Sequence, residues 1–359
     1  MREGWARRGR WLLLLFFGSV LIADAPPAWP QPPPTSAPQE PEAKISVRVD
    51  LVNLDVTVTD ARGNYVRNLK QGNFRILDNA QPQPISNFAP VEAPAQVLLL
   101  VETGPAVYLI HRQHLISAHL LLGGLAPDDA VALATYDSEA RLQQPFTTDK
   151  RGLQAAIAGL RYNLGRSELN FFGGVAAALD WLAATPGKKS VVLLTTGLDD
   201  GPASRWEMLL ERLRTSEAAI YPVALGGELR DPPKANQPTT PDAIRVAESF
   251  ARASDNLRTI AEVTGGQAFF PREPKEFEAI YKQIATILRH TYRLGFAPPA
   301  RDGQFHRVLV QLLDDKGELL GPFYAELEPE PGQKPPRKSL LPKSTKYRLF
   351  FRRGYVAPN

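Results

Sequence analysis

Four short, unbroken apolar runs constrain this chain more than any other feature of its sequence. They are Val97–Val101 (VLLLV), Ala130–Thr135 (AVALAT), Ser190–Thr195 (SVVLLT) and Ala219–Leu225 (AIYPVAL). A strand covered on one face alternates apolar with polar residues, whereas a strand covered on both faces is apolar throughout. Between and after these runs the spacing predicts helices over roughly 108–124, 150–160, 171–185, 204–217, 255–264 and 274–290. Ser204-x-x-Glu207 has the spacing of a capping box, and Gly265-Gly266 is a helix terminator. Strands alternating with helices of this length predict an α/β fold built on a doubly wound, mostly parallel sheet. Residues 227–243 (GELRDPPKANQPTTPDA) interrupt the alternation as a proline-rich loop.

The flanks follow a different pattern. Residues 45–60 (ISVRVDLVNLDVTVTD) alternate, with Val47, Val49 and Leu51 on one face and then Leu54, Val56 and Val58 after a one-residue slip. That slip predicts a bulge near Val52-Asn53. Asp60–Asn64 reads as a turn, and Asn73–Asp78 and Ile85–Phe88 as short strands. After Tyr292 the alternation returns over Tyr292–Phe296, Arg307–Leu313 and Tyr347–Phe351, predicting strands that rejoin the N-terminal ones. The expected divisions are a targeting segment at 1–25, a linker at 26–44, and an N-terminal β module at 45–92. An α/β domain at 95–290 and C-terminal strands with a basic tail at 291–359 complete them.

Charge settles one functional class. The 359 residues carry a net +4, which invites a nucleic-acid reading. Removing the +2 of residues 1–25 and the +8 of residues 334–359 leaves residues 26–333 at −6. An acidic body with a basic tail is not a nucleic-acid-binding surface. The first segment has Arg2, Arg7, Arg8 and Arg10, then the apolar run Trp11–Ala23, then Ala23-Asp24-Ala25 as a small-x-small site. It reads as a secretory signal, as an uncleaved anchor (Pro26 would follow the cut), or as a buried helix. The first two place the body outside the cytoplasm, in a secreted or periplasmic location. Eight prolines in residues 26–41 favour an extended polyproline spacer or a disordered leftover behind the leader. The complete lack of cysteine excludes disulfides, thiol catalysis and cysteine-ligated metal.

The runs at 97–101, 130–135 and Ser190–Gly197, with Ile260–Phe269 (IAEVTGGQAF), resemble a von Willebrand factor type A domain. Val56–Gly63, Leu69–Leu77, Tyr292–Phe296 and Arg352-Arg353-Gly354-Tyr355 resemble the flanking strands of secreted proteins related to that family, of the acidobacterial type. The resemblance covers about residues 45–356. It implies a Rossmann-like sheet and partner binding through a Mg²⁺ ion at the C-terminal strand ends, held by an Asp-x-Ser-x-Ser loop, a distant Thr and a distant Asp. A hard cation there needs oxygen ligands in near-octahedral array.

The sequence departs from that pattern at each ligand. Aligned on Gly104, Val101 stands for the Asp, Thr103 for the first Ser and Pro105 for the second. A shift of one residue places Glu102 at the Asp but leaves Gly104 and Ala106 at the serines. Ser167 and Asn170 are the substitutes near the distant Thr, and the late Asp position reads Thr196, followed by Asp199 and Asp200. The expectation is therefore a degenerate adhesion site without metal, with Mg²⁺ held by rearranged Glu102, Asp199 and Asp200 as the alternative. Its rim would comprise Glu102, Thr103, Ser167, Thr196, Asp199 and Asp200, with the 227–243 loop as a second candidate surface. The partner would be a protein or cell-envelope component, with membrane contact only through an uncleaved leader.

Other constellations carry less. His111, His114 and His119 share one helix, but His119 lies about 80° round from His111 and no metalloprotease Glu accompanies them. The glycine pairs fit no phosphate loop, and no nucleophile elbow is present. The chain is read as a non-enzymatic binding or scaffolding module, with metal-dependent adhesion as the alternative and a hydrolase behind both.

Overall fold

A computed structural model describes residues 51–358 apart from 109–110, 164, 166–167, 231–238, 274 and 322–345. The leader, the proline-rich segment, strand residues 45–50, Ser167 and the middle of the 227–243 loop lie outside the described residues. Among the described residues no helix is long and apolar enough to cross a membrane.

The chain enters through β1 (Val52–Asp60), β2 (Phe74–Asp78), β3 (Gln81–Gln83) and β4 (Asn87–Glu92). The α/β part then runs β5 (Gln96–Glu102), α1 (Pro105–Tyr108), α2 (His111–Gly124), β6 (Ala130–Tyr136), β7 (Ala140–Thr147) and α3 (Lys150–Ala158). It continues with α4 (Phe171–Ala183), β8 (Lys189–Thr195), α5 (Ser204–Thr215), β9 (Ala219–Ala224), α6 (Gly227–Arg230), α7 (Pro241–Thr264) and α8 (Glu276–Arg289). Five strands close the chain: β10 (His290–Phe296), β11 (Phe305–Leu313), β12 (Leu319–Gly321), β13 (Tyr347–Phe350) and β14 (Gly354–Val356).

The central sheet has the order β7-β6-β5-β8-β9. Its four apolar strands are parallel, and β7 adds an antiparallel edge. Burial on both faces explains the continuous apolar runs. Val97, Leu99 and Val101 pack with Leu121, Tyr281 and Leu288, while Leu98 and Leu100 face Phe171, Leu179 and Leu257. The β7 strand escaped the sequence reading because ARLQQPFT is polar and largely exposed, as suits an edge, and carries Pro145.

The flanking strands pair as expected and form two antiparallel sheets. β1 lies between β10 and β13, with β4 outside β10; β11 pairs with β2, β12 and β14. Leu54, Val56, Tyr292, Leu294, Ile76, Val310 and Phe351 make their shared core. Three expectations are corrected. Val52, Leu54, Val56 and Val58 all lie buried on one face and pair without a register shift over Val52–Val56, so no bulge interrupts β1 there. The helix expected at 255–264 begins at Pro241, inside the supposed loop, because Thr240 caps it by accepting from the Ala243 amide and proline suits the first turn. The expected capping box fails: Ala203 is the cap residue of α5, with no side-chain hydrogen bond, and Ser204 already lies in the helix. The Gly265 terminator holds, in left-handed conformation with φ of 78°.

Candidate functional site

Three neighbouring strands of the central sheet end side by side in polar residues. Glu102 closes β5, Tyr136 closes β6 opposite it in register, and Thr195 closes β8. All three are fully buried. An isolated carboxylate in such a place would be costly, so its partners decide what it can do.

Four donors surround it. The Tyr136 hydroxyl lies 2.8 Å from Glu102 Oε2 and the Thr195 hydroxyl 3.0 Å from the same oxygen. The Thr196 amide donates to Oε2 at 2.7 Å, and the Thr196 hydroxyl lies 2.8 Å from Oε1 and 2.9 Å from Oε2. Tyr136 and Thr195 also meet, at 2.6 Å, and Thr195 accepts from the Gly197 amide at 2.7 Å. Gly197 has φ of 70°, which lets the chain turn back over the carboxylate directly after β8. Burial pushes the Glu102 carboxyl above its usual range, against the pull of the Thr196, Tyr136 and Thr195 hydrogen bonds. Burial, with the Glu102 charge beside it, pushes the Tyr136 hydroxyl up as well.

A cation completes the neighbourhood without touching the carboxylate. Arg230, in α6, donates to the carbonyls of Thr196 and Leu225 and to the Ser254 hydroxyl, the last two at 2.9 and 2.7 Å. Its guanidinium lies 5.2 Å from the Phe250 ring centroid. Burial pulls the Arg230 pKa down to about 10, while the Glu102 charge works in the opposite direction.

The expected rim residues therefore separate. Glu102, Thr103 and Thr196 are 0%, 3% and 1% exposed, so their side chains face the interior. The Thr103 hydroxyl turns to the Tyr136 carbonyl at 3.1 Å. Asp199 accepts from the amides of Phe172 and Gly201, at 3.0 and 2.9 Å, and Asp200 accepts from Leu169 at 2.8 Å. Both aspartates brace the loop after β8 against the start of α4. Asn170 caps that helix by accepting from Gly173 at 3.0 Å. Ser167 lies outside the described residues. Of the remaining candidates, His119 is exposed on α2.

The Glu102 oxygens face hydroxyl and amide donors, both Asp199 oxygens accept from main-chain amides, and Asp200 accepts from one at Oδ2. Among the described residues no group of three or more His, Asp or Glu side chains could hold a metal ion.

Sequence reasoning singled out Glu102 and Thr196 but missed Tyr136, Thr195 and Arg230. A readable signal existed: polar side chains ending two apolar runs adjacent to the one ending in Glu102. Arg230 had none, since its place depends on a turn of helix within a stretch read as loop. A groove of about 550 Å³ opens beside Thr103, lined in part by Asp137, Arg141, Gln143, Arg161, Tyr162 and Asn163.

No family model matches the chain, and comparison with curated proteins also finds no match. Solved structures similar to it include BatB from Bacteroides thetaiotaomicron, at 12% identity and a TM-score of 0.37, covering 54% of this chain and 98% of that one. A von Willebrand factor type A structure from Catenulispora acidiphila is similar at 12% identity and a TM-score of 0.42, covering 75% and 72%. The vWF domain of the type V pili tip protein Mfa5 from Porphyromonas gingivalis is similar at 21% identity and a TM-score of 0.28, covering 30% and 40%.

Proposed function

We propose that this chain is an extracytoplasmic, non-enzymatic protein-binding module of type A kind, in which a buried carboxylate takes the place of the adhesion metal. The observation that carries the reading is the set of donors around Glu102. A metal-dependent site holds carboxylates with lone pairs free for the cation and an open position for the partner. Here the strand-end carboxylate is closed over by Thr195, Thr196 and Tyr136. It serves as an internal tie between three strand ends.

Partner binding then falls to the surface beside that tie. In open α/β sheets ligands approach the C-terminal strand ends. The groove beside Thr103 lies at that edge, and Arg141 and Arg161 are exposed on it. The partner is a protein or cell-envelope component offering acidic groups to these arginines. The leader at residues 1–25 and the spacer behind it support delivery outside the cytoplasm, with the body held off a membrane if the leader is retained. The hydroxyls on Glu102 are buried along with it, out of reach of a substrate, which supports binding over catalysis.

Cross-linking of the full chain in its native envelope tests the reading, run with EDTA and with Mg²⁺ and repeated with an Arg141→Glu, Arg161→Glu double variant. The same partner is expected under both ionic conditions and is expected to disappear in the double variant. Capture that needs Mg²⁺, or that ignores the two reversals of charge, would overturn the proposal.

A further inference from the structure

A second cavity, of about 260 Å³, lies at the opposite edge of the central sheet, where β8 and β9 begin and β1 and β10 pass by. Its charges do not balance. Arg293 is paired with Asp55 at 2.9 Å, and Lys189 with Glu217 at 3.6 Å. Lys188 and Arg352 also line it and, among the described residues, have no carboxylate of their own.

Both of these cations are half-buried and incompletely used. Lys188 Nζ donates to the carbonyls that end α8, Ile287 at 3.2 Å and Leu288 at 2.9 Å, leaving one of its three donors. Arg352 donates from Nη2 to the Asn53 carbonyl at 3.1 Å, but its buried Nε–H has no partner among the described residues. Thr291, only 2% exposed, also borders the cavity, and its buried hydroxyl likewise has no partner among the described residues. Buried polar atoms are satisfied in the great majority of cases, so two orphans on the border of one cationic cavity set it apart. Burial lowers the Lys188 pKa to about 8, with Asp55 opposing and Arg293 adding to the shift. Burial also lowers Arg352, with Glu217 and Asp55 opposing. An anion placed here would relieve both.

We propose that this cavity binds the oxyanion group of a small molecule, a carboxylate or a phosphate, between Lys188, Arg352 and Thr291. A guanidinium edge presents parallel donors matched to two oxygens, which a lysine cannot reproduce. The site is remote from the groove beside Thr103 and independent of the reading given to it.

Isothermal titration of the full chain with inorganic phosphate and with succinate, each against sodium chloride of equal ionic strength, tests this. At least one anion is expected to bind saturably at a single site, phosphate alone marking a phosphate ligand and succinate alone a carboxylate. Affinity is expected to fall at least about tenfold in Arg352→Lys, which keeps the charge and loses the fork, and in Lys188→Met. The exposed Lys316→Gln variant is expected to bind as the wild type does. Heats no larger than those from sodium chloride, or unchanged affinity in both cavity variants, would overturn the proposal.

Discussion

Arg230 donates to the main-chain carbonyl of Thr196, the residue whose amide and hydroxyl both hold Glu102. The peptide of Thr196 is thus clamped between a half-buried cation and a buried carboxylate that never meet. Replacing Arg230 by Met leaves the Thr196, Leu225 and Phe250 carbonyls short of a charged donor. The expected cost is on the order of 3 kcal/mol, since hydrogen bonds to charged groups are worth about 1.5–3 kcal/mol each. Urea unfolding at neutral pH measures it, and a variant as stable as wild type would show that the clamp contributes nothing.

Glu102→Gln preserves shape but turns an amide group toward donors that now face an acceptor. A loss of about 1–3 kcal/mol is expected. Glu102→Ala is expected to lose more, because it adds a cavity to the unpaired donors. The order of the midpoints is the informative readout; a Glu102→Gln midpoint equal to that of wild type would mean that the hydrogen bonds carry no weight.

Gly174 lies under Tyr136, where an added Cβ would come within 2.8 Å of the ring and 3.0 Å of its Cβ. These atoms sit near the main chain of a fully buried residue and cannot swing away. Gly174→Ala is expected to cost about 1–3 kcal/mol despite the better helix propensity of alanine. It is also expected to shift the tyrosine absorption by moving the Tyr136 hydroxyl off Glu102. A variant that gains stability would place the ring more loosely than described.

A second buried polar cluster joins the terminal strands. His306 Nδ1 lies 2.8 Å from Asp78 and Nε2 3.3 Å from Asp302, and the Tyr355 hydroxyl donates to Asp78 at 2.5 Å. Burial pulls the His306 imidazolium down, but the hydrogen bonds to Asp78 and Asp302 outweigh it and leave the group above its usual range. A raised folded-state value means stability that is fully present below the unfolded pKa near 6.5 and lost as pH rises through the folded value. Wild type is therefore expected to lose stability relative to His306→Gln between about pH 6 and pH 9. Parallel stability profiles across that range would contradict it.

Much of the α/β layer was legible because burial on both faces writes itself as uninterrupted apolar sequence, as at Val97–Val101. The return of Tyr292–Phe296 and Tyr347–Phe351 to β1 was legible from alternation. Edges and starts were not. β7 is polar because one side meets solvent, and Pro241 begins a 24-residue helix with the residue type that elsewhere signals loop. At the site, Glu102 stood out as a carboxylate at the end of an apolar run. Its orientation did not, because the same residue serves an exposed rim or a buried tie according to what the neighbouring strands place beside it. Tyr136 supplies that answer from 34 residues away, and Thr195 from 93. Only the parallel register β6-β5-β8 brings the three together.

The account rests on Glu102 being tied to protein donors instead of a cation, and thermal unfolding with and without divalent metal tests this most directly. A site occupied at a hundred times its Kd would stabilise the folded chain by about 2.7 kcal/mol, or roughly 4–5 °C for a body of this size. The account predicts melting curves that coincide in EDTA, millimolar Mg²⁺ and millimolar Mn²⁺. A metal-dependent rise of several degrees that vanishes in Glu102→Gln would contradict it.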